Sequence, residues 1–357
     1  MIPSPEKLHS SSHSKYRMPA EWDPHEATWV AWPHNSRDWP GKFATIPWVY
    51  GEIVRHLAPG ELVRIIVESA AHRKSAERIL RRAGVDLERV EFFRFRTDRG
   101  WTRDIGPMFV RSSEGTCAIN NFRFTGWAKY ANHRKDARIH TLAAKALGLP
   151  LLRPVIDGSP FVLEGGAIDV NGSGTLMTTR ECLLDQHVQA RNPGSDRLDL
   201  ESALRNSLGV TNFIWLNRGI AGDDTHGHVD DLARFVDSKT IVMCSEENPR
   251  DANTAAMREN WELLAATVLE DGSRPDVVAL PMPSPLMFNG LRLPASYANF
   301  YIANHAVLVP TFNDPRDRIA LGILGDLFPD RSVIGIHAVD LVWGFGTLHC
   351  LTQQQPA

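Results

Sequence analysis

The densest run of chemically able side chains is Asp223-Asp224-Thr225-His226-Gly227-His228-Val229-Asp230-Asp231. Three readings fit it. Its Thr-His-x-His-x-Asp order is one that a zinc hydrolase places on a loop, with His226, His228 and Asp230 as ligands. A two-metal site of that kind calls for a histidine where this chain has Asp231, and for further histidines in Gly-His contexts that His305 and His337 do not supply. The segment could instead be an acidic loop that caps a strand. In the third reading His228 is a general acid and base and Asp230 a binding carboxylate, because residues two apart in an extended segment face one side while Val229 faces a core.

Cys350 offers a nucleophile for the third reading. It closes a β-like apolar run after Gly344 and Gly346 and precedes Thr352-Gln353-Gln354-Gln355-Pro356. A thiol makes an active site only with a proton carrier and groups that hold a substrate. Carboxylates occur in two further knots. Asp104 lies in Trp101-Thr102-Arg103-Asp104-Ile105-Gly106-Pro107, where turn chemistry alone would also place an aspartate. Glu164 follows the apolar Phe161-Val162-Leu163, so it is either a solvated strand-end glutamate or a buried one that must be paired or bound to a cation.

Two or three carboxylates beside a thiol suit a guanidinium, a planar cation whose N–H groups match carboxylates in paired hydrogen bonds. Its carbon is a poor electrophile that water attacks slowly, whereas a thiolate attacks it and forms a covalent intermediate. A bound cation would in turn favour the thiolate. Trp101 and Trp127 are candidates to wall such a pocket against a cation or alkyl tail, although an aromatic beside a strand is commonly core.

The elements that must position these groups alternate between strand-like and helix-like runs, which argues for an α/β protein. Strands are expected at 62–67, 89–95, 108–111, 175–179, 212–216, 240–244, 306–310 and 332–336, and helices at 49–57, 73–83, 140–147, 252–269 and 318–328. Arg73, Lys74, Arg78, Arg81 and Arg82 make the second helix basic, as a solvated outer face would be. A weak repeat runs through the chain: Asp104 precedes Phe109-Val110 by the step that separates Asp230 from Phe235-Val236, Glu164 precedes Ile168-Asp169-Val170, and Tyr297 to Ile302 occupies the next equivalent stretch. At intervals of roughly 60 residues the series reaches Cys350, so units around one axis would bring the acids to the thiol.

No Gly- or Ser-rich linker divides the sequence, which reads as a polar N-terminal extension (1–18) and a single catalytic domain (19–357). With 39 Lys and Arg against 42 Asp and Glu, the formal charge of -3 supplies no field for nucleic acid or an anionic membrane, and a small substrate is the expected partner. Cys117, Cys182, Cys244 and Cys350 show neither a disulfide framework nor a zinc pattern, and no secretory or membrane-spanning stretch is evident. These features point to a soluble, reduced, cytoplasmic protein, and the sequon at Asn171 to chance.

In their order and spacing, Trp101 to Pro107, Glu164-Gly165-Gly166, Gly227-His228-Val229-Asp230 and His349-Cys350-Leu351-Thr352-Gln353-Gln354-Gln355-Pro356 resemble the agmatine deiminase family, which includes bacterial peptidylarginine deiminases. The resemblance runs from about Trp22 to the C-terminus and takes in Asn299-Phe300-Tyr301-Ile302 and Phe328-Pro329-Asp330-Arg331. It implies a five-bladed α/β propeller of ββαβ units with the site at the pseudo-symmetry axis, no metal or other cofactor, and homodimers as a common assembly. It also implies Cys350 as nucleophile, His228 as acid and base, and Asp104, Glu164 and Asp230 around the guanidinium. The expected reaction converts agmatine to N-carbamoylputrescine and ammonia, with arginine or peptidylarginine deimination as the alternative. A metal-dependent hydrolase and a guanidinium-binding protein without turnover are the rivals from other classes. The chain departs from the family at His226 (usually Asn), Asp224 (usually Glu), Ala128-Lys129 (usually Gly-Gly) and Gly344-Phe345-Gly346 (usually a glycine run). These positions, Gly346 included, are expected where the substrate tail lies.

Overall fold

The computed structural model describes residues 15–357. Among these, the longer strands form five sheets of three or four strands each, with helices between the strands, an α/β arrangement. Each sheet contains the same core pattern. A strand pairs antiparallel with a second, and the second pairs parallel with a third: Ile168–Val170, Thr175–Thr179 and Asn212–Leu216; Ala233–Phe235, Thr240–Ser245 and Asp276–Pro281; Tyr301–Ile302, Ala306–Thr311 and Ser332–His337. The parallel step requires a crossover, which helices supply: Arg197–Leu208, Thr254–Ala265 and Asp317–Leu327 in these three sheets.

The other two sheets extend the pattern. Met108–Ser112, Cys117–Asn120 and Leu151–Leu152 are joined at the edge by Tyr16–Arg17. The last sheet is assembled from both ends of the chain, with Thr352–Pro356 antiparallel to His25–Ala31, followed by parallel Leu62–Ile66 and Val90–Phe93. Strands covered on both faces read as continuous apolar runs, as in Ala306–Thr311, where five of six residues are buried. The glutamines of Thr352–Pro356 are buried as well. A terminal polar tail in the sequence is therefore an interior strand.

The helices lie where their apolar stripes predict. Ala70–Arg82 starts at Ser69, whose hydroxyl accepts from the His72 N–H at 3.1 Å, buries Ala76, Ile79 and Leu80, and exposes the basic residues, Arg73 among them. The helix expected to run to residue 269 stops at Ala265, because the Thr267 hydroxyl takes the Leu263 carbonyl at 3.0 Å and Leu269 turns inward. Arg197–Leu208 was not expected, although Asp196 and Asp199 form a capping box at its start. Residues 1–14 of the expected N-terminal extension lie outside the described residues. The remainder is part of the fold, since Tyr16 and Arg17 pair with Ser112 and Arg111 and Met18 is buried. Among the described residues no helix is long and apolar enough to cross a membrane.

A short helical turn precedes the first strand of four sheets: Thr102–Ile105, Gly165–Ala167, Val229–Asp231 and His349–Leu351. In the fifth, Asn299 precedes Tyr301–Ile302. The repeat of acids in the sequence is a repeat of strand entrances.

Candidate active site

Asp104, Glu164, His228, Asp230 and Cys350 are all buried. Asp104 sits in a single turn that Gly106 and Pro107 end, since proline cannot continue a helix. Its Oδ2 accepts from the Trp127 indole N–H at 2.8 Å and its Oδ1 from the Gly166 N–H at 3.1 Å. Gly166 is where the side chains meet. A Cβ there would lie 2.5 Å from His228 Nδ1 and 3.1 Å from both Asp104 Oδ1 and Asp230 Oδ2. Only glycine leaves room for that convergence.

Cys350 was expected at the end of a β-like run; it lies instead in the turn His349–Leu351, and the strand starts after it at Thr352. The turn aims Sγ at the floor of a cavity of about 410 Å³ whose walls include Trp101, Trp127 and Asp104. Sγ is 3.8 Å from Asp230 Oδ2 and accepts from Asn299 Nδ2 at 3.2 Å. Gly346 abuts it: a Cβ at Gly346 would lie 3.2 Å from Sγ and 2.8 Å from Trp101. Burial, with Asp230, Asp231 and Asp104 nearby, pushes the thiol well above its ordinary value, against the pull of Asn299.

His228 and Asp230 do face one region, but not through strand alternation. His228 precedes the turn Val229–Asp231, and Asp223 holds the approach by accepting from the Gly227 and His228 N–H groups at 2.7 and 3.0 Å. Nδ1 of His228 is 3.9 Å from Asp104 Oδ1 and Nε2 is 3.7 Å from Glu164 Oε2. Burial would depress the imidazole, yet Asp104, Cys182 and Glu164 around it hold it well above its ordinary value. Asp104 is raised, by burial and by Asp230 and Glu164, whereas Asp230 is lowered because the His349 bond together with the charges of His349, His228 and Arg234 outweighs burial. These directions favour a neutral thiol beside a protonated imidazole. A cation seated between the acids would offset the charges that hold the thiol up.

Two expectations are corrected, and Glu164 has a partner within the chain that the sequence did not indicate. Glu164, like His228 and Asp230, lies behind the cavity lining: Arg191 Nε donates to both its oxygens at 3.2 and 3.1 Å, both side chains are fully buried, and Arg191 and His228 together hold Glu164 below the ordinary carboxylate range despite burial. Its other close neighbours are His228 and Cys182. His226 is not in the tail pocket. It adopts a left-handed conformation (φ 65°) and points Nε2 at Asp185 Oδ2, 2.9 Å away. The same turn separates His226 from His228, so the Thr-His-x-His-x-Asp ligand set does not converge; the ligand-bearing triads among the described residues are Glu164–Cys182–His228 and Asp230–Asp231–Cys350.

Asp224 lines the cavity, as expected for a tail-pocket residue, but accepts from Lys129 Nζ at 2.5 Å and Tyr130 Oη at 2.7 Å. Trp127 and Ala128 reach this wall through consecutive left-handed conformations (φ 57° and 52°), which glycines would adopt more readily. Arg191, Asn299, Asp223, His349 and Glu21 also shape the site and were not singled out. Asp223 stands in the densest polar run, His349 in the Cys350 motif and Asn299 in the repeat, whereas Arg191 and Glu21 carried no signal.

Comparison with known proteins gives a consistent picture. Residues 17–356 match the family described as Porphyromonas-type peptidyl-arginine deiminase. The chain is 33% identical to the agmatine deiminase of Pseudomonas fluorescens (strain SBW25), covering 98% of each sequence. It superposes on the agmatine deiminase of Enterococcus faecalis with a TM-score of 0.87 at 26% identity, covering 96% of each chain. With a Cys-to-Ser variant of C. jejuni agmatine deiminase with substrate bound, the TM-score is 0.85 at 29% identity over 99% of each chain.

Proposed function

The chain belongs to the Porphyromonas-type peptidyl-arginine deiminase family, and from that premise we propose that it is a hydrolase of guanidino C–N bonds, with agmatine as its leading substrate and N-carbamoylputrescine and ammonia as products. The observation that carries the reading is the floor of the cavity. Cys350 Sγ lies 3.8 Å from Asp230, and Asp104 lines the same cavity, a setting for a planar cation over a thiol.

In this mechanism Asp104 and Asp230 hold the guanidinium N–H groups, and the bound cation shifts the thiol towards thiolate, its proton passing to solvent. Cys350 Sγ adds to the guanidinium carbon. The tetrahedral adduct loses ammonia as His228 passes its proton to the leaving nitrogen, which leaves a thiouronium. Neutral His228 then takes a proton from water as the oxygen adds, and the C–S bond breaks to return the thiolate and, after loss of a proton, the ureido product. Glu164, fixed by Arg191, orients His228. The five sheets, each contributing one strand entrance, support a finer reading of the fold as a five-bladed propeller around the site.

A second substrate reading has its own observation. The mouth carboxylates are already matched by cations of the chain, Asp38 by Arg99 at 3.0 Å and Asp224 by Lys129 at 2.5 Å, and Arg37 and Arg99 line the mouth. That arrangement favours a guanidine with a neutral or anionic tail, such as arginine or an arginine at a peptide C-terminus, over the ammonium of agmatine. Incubation with agmatine, arginine and arginyl peptides, scored for ammonia and ureido product, tests both. Turnover should vanish in Cys350→Ala and on alkylation, and chelator-sensitive, alkylation-resistant turnover would refute the thiol mechanism.

A further inference from the structure

Behind the carboxylate that faces the thiol runs a chain of buried charged side chains. Asp230 Oδ2 lies 2.6 Å from Nδ1 of His349, and Nε2 of the same ring lies 2.8 Å from Glu21 Oε2. Both ring nitrogens face carboxylate oxygens, so each contact is a hydrogen bond when that nitrogen carries its proton. Glu21 also accepts from Arg103 Nη2 at 2.9 Å, Arg234 Nη2 at 2.8 Å and the Ile302 N–H at 2.9 Å. Glu21 comes from the loop before His25–Ala31 and His349 from the turn before Thr352–Pro356, so the chain spans the sheet built from both termini.

The result is an asymmetric Asp230. Its Oδ2 is shared by His349 and by the Cys350 thiol 3.8 Å away, whereas Oδ1 is buried and has no hydrogen-bond partner among the described residues. A buried acceptor left bare is costly unless a donor arrives, and a guanidinium supplies N–H donors in a plane. Asp230, His349 and Glu21 all lie behind the cavity lining, and Asp230 reaches it through Cys350 Sγ, 3.8 Å away.

We propose that His349, gripped from behind by Glu21, is a positioning residue that sets the rotation of the Asp230 carboxylate and so keeps Oδ1 free and aimed at a guanidinium N–H. The proposal rests on the reading of the site as a guanidine deiminase. Rotation matters because a displacement of about 1 Å at a group that orients substrate costs on the order of 10²-fold in rate.

Two substitutions at one position separate positioning from mere support. The amide nitrogen of asparagine reaches about where Nδ1 lies, so His349→Asn keeps the donor to Asp230. Glutamine reaches about where Nε2 lies, so His349→Gln keeps the contact with Glu21 and loses the one with Asp230. Each variant leaves one buried carboxylate short of one donor, so a purely supporting role predicts the same loss of thermal stability and the same kcat/KM. Positioning predicts that the Asn variant stays within about fivefold of the unsubstituted enzyme while the Gln variant falls by about 10²-fold, with KM raised as well as kcat lowered. Equal values in the two folded variants, or a more active Gln variant, overturn the proposal. Should neither fold, Glu21→Gln tests the chain one link back: a kcat/KM at least tenfold lower supports the grip and an unchanged value overturns it. Absence of ureido product from the unsubstituted protein is a separate outcome, which removes the deiminase reading and the proposal with it.

Discussion

Replacing Arg191 by methionine should destabilise the protein and slow it at once. The Arg191 and Glu164 side chains are both fully buried, and the pair is held at 3.1 Å. Removing one partner of a buried ion pair leaves an uncompensated charge and costs about 3–5 kcal/mol. For 357 residues, an unfolding entropy of about 2.1 cal/mol/K per residue amounts to roughly 0.75 kcal/mol/K. The expected fall in Tm is therefore about 4–7 °C, readable by scanning fluorimetry at neutral pH. Because Glu164 Oε2 stands 3.7 Å from His228 Nε2, a bare Glu164 would pull the imidazole out of place, and kcat should fall by about 10²-fold. Adding Glu164→Gln removes the stranded charge and should restore roughly half or more of the lost stability, but not the activity. Glu164 is held below its ordinary value in the folded protein. The stability that the ionised pair contributes is thus fully present above the unfolded carboxylate value of about 4.3 and is lost as pH falls through the lower folded value. A Tm change below about 2 °C for Arg191→Met, or a double variant less stable than the single one, would refute the argument that the pair neutralises a buried charge.

Further outcomes follow from the same geometry. Gly346→Ala should fold yet lose about 10²-fold or more in kcat/KM, because its Cβ would meet Trp101 at 2.8 Å and Cys350 Sγ at 3.2 Å; wild-type kinetics would show that the turn yields. Alkylation of Cys350 by iodoacetamide in the substrate-free protein should accelerate steadily from neutral pH to above pH 9, since burial and the nearby acids hold the thiol up. A rate that levels off near neutrality contradicts that direction. Lys129→Ala frees the Asp224 carboxylate and should shift kcat/KM towards agmatine relative to arginine by about tenfold, with little change in Tm because the pair is partly exposed. An unchanged ratio would mean that the tail does not reach Asp224.

The elements that carry strong apolar patterns were legible. Thr175–Thr179 and Asn212–Leu216 occur where expected to the residue, and the basic helix exposes its charges. The buried strand Thr352–Pro356 was not, because its glutamines become interior only when both ends of the chain meet in one sheet. Arg197–Leu208 was overlooked for a local reason: Leu198 is 72% exposed and breaks the apolar stripe, although the capping box was readable.

Residue chemistry by itself selected a thiol, a histidine and recurrent acids, and the repeat indicated that they stand at equivalent positions. Reactivity types and strand-entrance spacing are local properties, and a sequence records them directly. Which way each side chain points is a matter of contacts made across hundreds of residues. The partner of Glu164 is Arg191, and that of His226 is Asp185. The partner of Asp230 is His349, backed by Glu21 from the far end of the chain. Burial makes such pairings compulsory, since a carboxylate withdrawn from water must find a donor, but only the packed fold decides which donor is within reach.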